Sequence, residues 1–360
     1  MPDIPSRVRE LISTRGLNQR DFAAGIGMDD SKLSKSLGGV RRFSSLDLAR
    51  IAEAYDVTVD WLVTGEEPAL AVAARTAGGT ATVAVEIAER YARMRTDIAA
   101  FGYRQPWNWS TSNLADSSDG RLLARAAREA VDAVDTADDL PTRVEQAFGI
   151  DVTVADLGAQ FDGLAVSSPE VKLIVLAVTH VPARQRFTLA HELGHILAGD
   201  DQVLHLDEDV FARTHAREPS EMRANAFAAE FLMPQHLLRS KVDAGMTMEG
   251  FAELATVLFV TPSALAYQLH RLRLIDAGTC DQWKTITAAK AAQMSGRSDE
   301  FALRSAESAT TRFPGLLIRD TYAAYQSGAT TLRPYAELLG ADIDVLRESL
   351  EAKEGDGSRR

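Results

Sequence analysis

The chain has one cysteine, Cys280, in 360 residues. No intrachain disulfide can form and no cysteine-rich metal cluster can be built, so any metal must be held by His, Asp and Glu. No apolar run approaches the roughly 18 residues of a membrane span, and the first residues, MPDIPSRVRE, lack the hydrophobic core of a signal peptide. The expectation is a cytoplasmic protein with no membrane partner. Positive charge is also short. The 39 Lys and Arg stand against 51 Asp and Glu, a net charge of −12, which argues against a nonspecific nucleic-acid coat but leaves room for a small DNA-reading domain. With 46% hydrophobic and 25% charged residues, the balance is that of a globular chain long enough for two or three domains.

Pattern divides the chain into regions. Residues 1–66 read as short helices punctuated by Gly and Asp. The stretch ALAVAARTAGGTATVAV that follows is rich in small residues and nearly uncharged, predicting a linker at about 67–80. It runs into a connecting helix, VEIAERYARMRTDIAAF, within residues 67–119. Residues 120–277 give two helices (RLLARAAREAVDAV and LPTRVEQAF), short strands (IDVTVADL, DGLAVS and KLIVLAVTH), then helices again, an α+β order. Residues 278–360 are helical and end in the polar EAKEGDGSRR, expected to fray. The fold class is therefore multidomain: an all-α N-terminal domain, an α+β central domain and a helical C-terminal region.

Within the central region, RFTLAHELGHILAG contains HELGH. On a helix His191 and His195 lie one turn apart on one face, so both can direct ring nitrogens at a single ion. Glu192 is about 100° round from His191, too offset to be a third ligand yet close enough to take a proton from a water that zinc activates. Leu189, Leu193 and Ile196 recur at helical spacing and read as buried; Gly194 would let another backbone approach, and Gly199 would end the helix. The competing reading is a pair of histidines hydrogen-bonded within a core. A catalytic site needs at least one more protein ligand, and EPSEMRANAFAAEFLMP supplies candidates. Ser220 can start a helix whose buried face is Ala224, Phe227, Ala228 and Phe231. Glu221 lies on or beside that face, whereas Glu230, nine residues on, is about 180° away and cannot serve the same ion. Glu221 is thus the third ligand, and Asn225, one turn later, can hydrogen-bond a ligand histidine and fix its tautomer. His205 and His215, in the loop between these motifs, are expected to face solvent or substrate. Either of them, Tyr267 or Arg186 is a candidate for stabilising an oxyanion.

At the N-terminus, Phe22, Ala23 and Ile26 form an apolar face, a Gly27-Met28 turn follows, and Asp29 or Asp30 can cap a helix carrying Leu33 and Leu37. Ser44 can cap a further helix with Leu46, Leu48, Ile51 and Ala52, and Val59, Trp61 and Leu62 follow from a short fifth one that should bury its Trp. The helix DDSKLSKSL would expose Ser31, Lys32, Lys35 and Ser36, with Arg41 and Arg42 just past its end, a set suited to base edges and phosphates. The competing reading is a protein-binding module with a solvated charged face.

The HELGH and EMRANAFAAEFLMP stretches together resemble the ImmA/IrrE family of zinc metallopeptidases, from about residue 120 to 277. The resemblance implies a zincin-like fold of gluzincin type, a Zn2+ cofactor, His191, His195 and Glu221 as metal ligands, Glu192 as catalytic base and a protein substrate. The first 60 or so residues resemble the XRE, or lambda-repressor-like, helix-turn-helix family. Gln19 stands where that family has a glutamine opening its second helix, and the resemblance implies double-stranded DNA as partner and a homodimer. The tail MEGFAELATVLFVTPSALAYQLHRLRLI repeats a helix-turn-helix layout, as does YQSGATTLRPYAELLGADIDVLRESL; packing or a partner surface is the better reading for the first, dimerisation or packing for the second. Two functions remain. One is a stress-responsive transcription regulator whose metalloendopeptidase domain cleaves a partner repressor or its own linker. The other is a repressor that uses the peptidase-like domain, without turnover, as a ligand or metal sensor. A complete HExxH favours the first, because a sensing site has no need of Glu192.

Overall fold

The computed structural model describes residues 3–55, 57, 59–64, 82–110, 119–131, 139–158, 161–200, 204–207, 219–243 and 245–356. The expected linker at about 67–80, His215 and the last four residues of the polar tail lie outside the described residues. The chain forms two compact units, Met1–Gly78 and Gly79–Arg360.

Among the described residues the first unit has five helices: α1 (Ile4–Thr14), α2 (Gln19–Gly25), α3 (Asp30–Leu37), α4 (Ser45–Tyr55) and α5 (Val59–Thr64). Their starts are set by short polar side chains. Asn18 caps α2, and Asp29 caps α3 by accepting from Ser31 and Lys32 N–H. At α4, Ser44 N–H donates to Asp47 Oδ2 at 2.8 Å while Asp47 N–H donates to Ser44 Oγ at 3.2 Å, a reciprocal box. Caps of this kind contribute about 1 kcal/mol each. Val8, Phe22, Leu33, Ile51 and Leu62 fill the core. Two sequence expectations fail here. Leu46 is 60% exposed, because Leu48 and Ile51 set the inward stripe and Leu46 lies about 200° from Leu48. Trp61 is only half-buried, and its neighbour Leu62 takes the inward position in this short helix, fixed by buried Arg7, which donates to the carbonyls of Leu62 and Val63 at 2.9 and 2.6 Å.

The second unit opens with α6 (Thr82–Ala100), α7 (Gly120–Ala130) and α8 (Leu140–Phe148). A four-stranded sheet follows, from β1 (Asp151–Ala155), β2 (Gly163–Ser167), β3 (Lys172–Ala177) and β4 (Leu204–Asp207), in the order β1-β3-β2-β4. β1 runs parallel to β3, Val152 opposite Ile174, while β2 is antiparallel to both β3 and β4. The first three strands fall where their β-branched and apolar runs predict. The fourth does not: His205 is on an edge strand opposite Ala165, not in a loop, and four residues are too few for alternation to announce a strand. Between β3 and β4 runs α9 (Pro182–Ala198), which packs on the sheet and against α10 (Pro219–Leu232).

Among the described residues nine more helices follow: α11 (Gln235–Lys241), α12 (Met248–Leu258), α13 (Pro262–Arg271), α14 (Ala277–Trp283), α15 (Ala288–Met294), α16 (Ser298–Ser308), α17 (Gly315–Gln326), α18 (Arg333–Leu339) and α19 (Ile343–Asp356). The expected helix-turn-helix at α12 and α13 bends by 108° at its turn. Gln268 on α13 is buried and donates to Met233 O, so this face is spent on packing. Among the described residues, no single helix is long and apolar enough to cross a membrane.

Two buried ionic hubs tie the C-terminal helices to the sheet. Arg95 of α6, 1% exposed, donates from Nε and Nη2 to Asp151 of β1 at 2.7 and 2.9 Å, and from Nη1 to Asp320 of α17 at 2.6 Å. Burial by itself would lower the guanidinium pKa, but the two carboxylates outweigh it and raise it. Glu145 of α8 pairs with Arg312 at 2.6 Å and accepts from the N–H groups of Val152 and Gly315. Removing one partner of such a buried set strands the others, at about 3–5 kcal/mol. Arg95→Ala should therefore lower the unfolding free energy of the larger unit, read from urea denaturation, by about 3–5 kcal/mol, with a lower midpoint. An unchanged midpoint would mean the pair carries no net stability.

Candidate functional sites

The metal candidate is built on two packed helices. In α9 the apolar positions Leu189, Leu193 and Ile196 are buried as their spacing requires, and Gly199, at φ +70°, ends the helix in the left-handed turn that Gly adopts without strain. Gly194 does not admit a backbone, as its sequence suggests. A Cβ there would meet the Phe227 ring at 3.0 Å, so the missing side chain seats an aromatic ring of α10. Ala224, Phe227, Ala228 and Phe231 form the buried face of α10. That contact sets how closely the two helices approach, and with it the distance between their polar residues.

His191, Glu192, His195 and Glu221 are 0, 0, 2 and 6% exposed. His191 Nε2 and His195 Nε2 are 3.1 Å apart; each lies near one oxygen of Glu221, at 3.3 and 3.4 Å. Among the described residues no other group of three His, Cys, Asp or Glu side chains converges this way. The far nitrogens are also engaged. His191 Nδ1 donates to Asn225 Oδ1 at 3.2 Å and His195 Nδ1 donates to Asp200 Oδ2 at 2.7 Å. Both rings therefore carry their protons on Nδ1 and turn Nε2 lone pairs toward the carboxylate.

Three lone-pair donors facing one another repel unless a positive charge sits among them. The two contacts to Glu221 end on different oxygens, Oε2 toward His191 and Oε1 toward His195, so the carboxylate straddles the pair of nitrogens. For a tetrahedral ion with bonds of about 2.0–2.1 Å the ligand separations are roughly 3.3–3.4 Å, close to the 3.1 Å between the two nitrogens and the 3.3 and 3.4 Å from them to the carboxylate. The residues present thus fit a metal with nitrogen and oxygen ligands.

Glu192 is not part of the converging group, as its offset on the helix predicts. Glu230 faces elsewhere: buried, it meets Arg125 at 3.3 Å and Arg271 at 3.6 Å. Asp200 is a residue the sequence reading missed. It follows the Gly199 turn, which sends its N–H back to His195 O, and Arg223 of α10 holds its other oxygen. Desolvation lowers the Arg223 pKa. A carboxylate right after a helix-ending Gly, five residues past a histidine, is the signal that could have found it. Of the oxyanion candidates, Tyr267 is 56% exposed with Lys284 over its ring, and Arg186 lines a cavity of about 540 Å³ together with Leu140, Leu189, Arg304 and Arg312.

In the first unit, Ser31, Lys32 and Lys35 project from α3 and Arg42 is exposed. Gln19, at the start of α2, is half-buried and donates to Asp30 Oδ1 at 3.3 Å. Ser36 is not exposed as expected. It is fully buried, because Leu33, Ser36 and Leu37 at i, i+3 and i+4 form the inward stripe of α3. Arg41 is turned inward too, donating to Ser36 Oγ at 3.1 Å and pairing with Asp47 at 2.8 Å.

The central geometry has relatives. Residues 145–270 match the family model described as IrrE N-terminal-like domain. Over 123 residues, 34% of this chain, it is 37% identical to the radiation response metalloprotease IrrE of Deinococcus radiodurans and 36% identical to that of Deinococcus deserti. The match covers 37% and 43% of those proteins' own lengths, so the chain spans about two fifths of the curated relatives it matches. His191, His195 and Glu221 all lie inside the matched segment, which is similar to a metalloprotease domain and holds the one converging His/His/Glu group among the described residues.

Proposed function

We propose that this chain is a DNA-binding regulator whose central domain is a zinc metalloendopeptidase acting on a protein. The observation that carries the reading is the buried triangle of His191 Nε2, His195 Nε2 and Glu221, with Glu192 one residue from the first ligand. Zinc bound there would polarise a peptide carbonyl and lower the pKa of water toward about 7. Glu192 accepts the proton of the attacking water and returns it to the leaving amine. Asn225 and Asp200 hold the two imidazoles in the tautomer that presents Nε2, and Arg223 holds Asp200. Burial of the whole group removes competing water and strengthens each of these interactions. The name of the relatives, radiation response metalloprotease, supports a stress-linked role, and the small-residue stretch at about 67–80 or a separate helix-turn-helix repressor is the substrate to test first.

DNA binding rests on the exposed Ser31, Lys32 and Lys35 on the second helix of a helix-turn-helix, with Arg42 beyond its end. Ser36 and Arg41 are withdrawn from that surface by their burial and pairing. A homodimer on a two-fold operator is part of the same proposal.

Three experiments test the reading. Glu221→Ala should lose zinc by native mass spectrometry while Glu230→Ala keeps it; the reverse would place the ion elsewhere. Glu192→Gln should keep both zinc and DNA affinity but lower proteolysis by about 10²-fold or more. If that variant still switches its target genes normally, the domain is a sensor and not a protease. Lys35→Ala should weaken operator binding by about 5- to 100-fold and relax sequence preference. Arg42→Ala should weaken all DNA alike and reduce the salt dependence by about one ion. Operator affinity untouched by either change would remove α3 from the groove.

A further inference from the structure

Three arginines gather on one face of the larger unit, around a carboxylate that they do not fully satisfy. Glu230 of α10 is 1% exposed, and its Oε1 accepts from Arg125 Nε and from Gln235 N–H, both at 3.3 Å. Its Oε2 accepts no hydrogen bond among the described residues. Arg271, at the end of α13, comes within 3.6 Å of that second oxygen and donates from Nε to Gln268 Oε1 at 3.0 Å. Among the described residues Arg121 of α7 pairs with Asp119 alone, at 3.5 Å. Arg121 and Arg125 are one turn apart on the same stripe of α7. The side chains of Arg121, Arg125 and Arg271 are 42, 54 and 40% exposed, so each keeps guanidinium N–H groups turned to water.

Neutralising Glu230 accounts for one of these cations, not for three. The three guanidiniums stand against two carboxylates, Glu230 and Asp119, in a chain whose net charge is −12. Burial first, then the like charge of Arg121, hold the Arg271 pKa below the ordinary guanidinium value, and Glu230 and Asp119 do not restore it. Local helix energetics do not account for Arg121 either. It is the second residue of α7, in a first turn without an acidic residue, where the helix dipole disfavours a cation. Arg239 of α11 extends the patch; it is exposed and reaches Leu272 O, the carbonyl next to Arg271, at 3.4 Å. Arg121, Arg125 and Arg271 all lie outside residues 145–270, so the face is not a property of the segment that matches the IrrE-like domain.

We propose that this face docks an acidic, extended segment of a partner protein, its Asp and Glu carboxylates paired with Arg121, Arg125 and Arg271. A guanidinium takes a carboxylate through two parallel hydrogen bonds, and Asp119 and Glu230 already sit between these arginines as carboxylates do. Duplex DNA fits less well. A rigid rod carries its phosphates past a patch of this size onto a chain of net negative charge. The helix that would enter a groove, α13, has Gln268 buried against Met233 O. Glu230 is nine residues past Glu221 on α10, about 13.5 Å along the axis and about 180° round, so a segment docked there leaves the metal site open. Under the peptidase reading the face holds a protein substrate away from the bond that is cut. Docking itself needs neither zinc nor Glu192, so the two can fail separately.

The test is fluorescence anisotropy of a labelled ten-residue polyglutamate with the full chain at about 50 mM salt, where exposed charges are little screened. A Gln/Gly peptide of the same length is the uncharged control. Polyglutamate should bind saturably below about 1 mM, release at about 0.5 M salt, and bind the Glu192→Gln chain equally. Arg121→Gln should weaken it about two- to fivefold, and Arg121→Gln with Arg125→Gln about tenfold, with circular dichroism and zinc content unchanged. Arg121→Gln breaks no contact to Glu230, so it reads the patch even where the double variant unfolds. Lys32→Ala with Lys35→Ala, in the first unit, should leave peptide binding unchanged. No saturable binding, equal binding of the Gln/Gly peptide, wild-type affinity in either arginine variant, or loss of peptide binding in the lysine variant would overturn the proposal. An equal loss of affinity for nonspecific duplex DNA in the double arginine variant would assign the face to nucleic acid and overturn it as well.

Discussion

Two imidazole nitrogens 3.1 Å apart, each with its proton committed to the opposite side of the ring, and a carboxylate within 3.4 Å of both, form the constraint on which the larger unit is organised. In a buried place such an arrangement of lone pairs is repulsive until a cation occupies it. Everything around it serves to hold that arrangement. Asn225 and Asp200 hold the rings, Arg223 holds Asp200, and the Phe227 ring in the gap left by Gly194 sets the approach of α10 to α9. The sheet supports α9 from beneath, and Arg95 and Glu145 anchor the C-terminal helices to β1 and α8.

The two compact units divide the labour by different physics. The first has a small core of aliphatic and aromatic side chains closed by helix caps, and leaves lysines and an arginine in water. The second spends its interior on paired charges as well as on apolar packing. Replacing one charge in such an interior exposes its partners to an environment that cannot solvate them, which makes the large unit intolerant of single polar changes. A metal ion bound by the histidines and Glu221 would extend the same pattern, adding a positive centre to a group otherwise short of one.

Periodicity made much of this legible beforehand. The i, i+4 spacing of His191 and His195 and the phase of Glu221 against Glu230 are properties of a regular helix, and the structure brings the first three together while turning Glu230 to Arg125 and Arg271. Three strands announced themselves by β-branched runs; β4 was too short to do so. Asp200 was hidden because its position depends on a turn rather than a repeat. Ser36 and Leu46 show the opposite error. Polar and apolar type suggested their faces, but in short helices the neighbours Leu33, Leu37, Leu48 and Ile51 fix the inward stripe and carry the others with it. The arginine-lined cavity was not legible at all, since its walls come from segments up to 170 residues apart whose meeting depends on the tertiary fold.

The central claim is that the buried triangle holds zinc through two nitrogens and an oxygen. X-ray absorption at the zinc edge of the purified full chain tests it directly. The account predicts about one zinc per chain with two imidazole nitrogens at about 2.0–2.1 Å, oxygen completing a four-coordinate shell, and no sulfur. A sulfur shell near 2.3 Å, a shell without imidazole, or a chain that retains no zinc would contradict it.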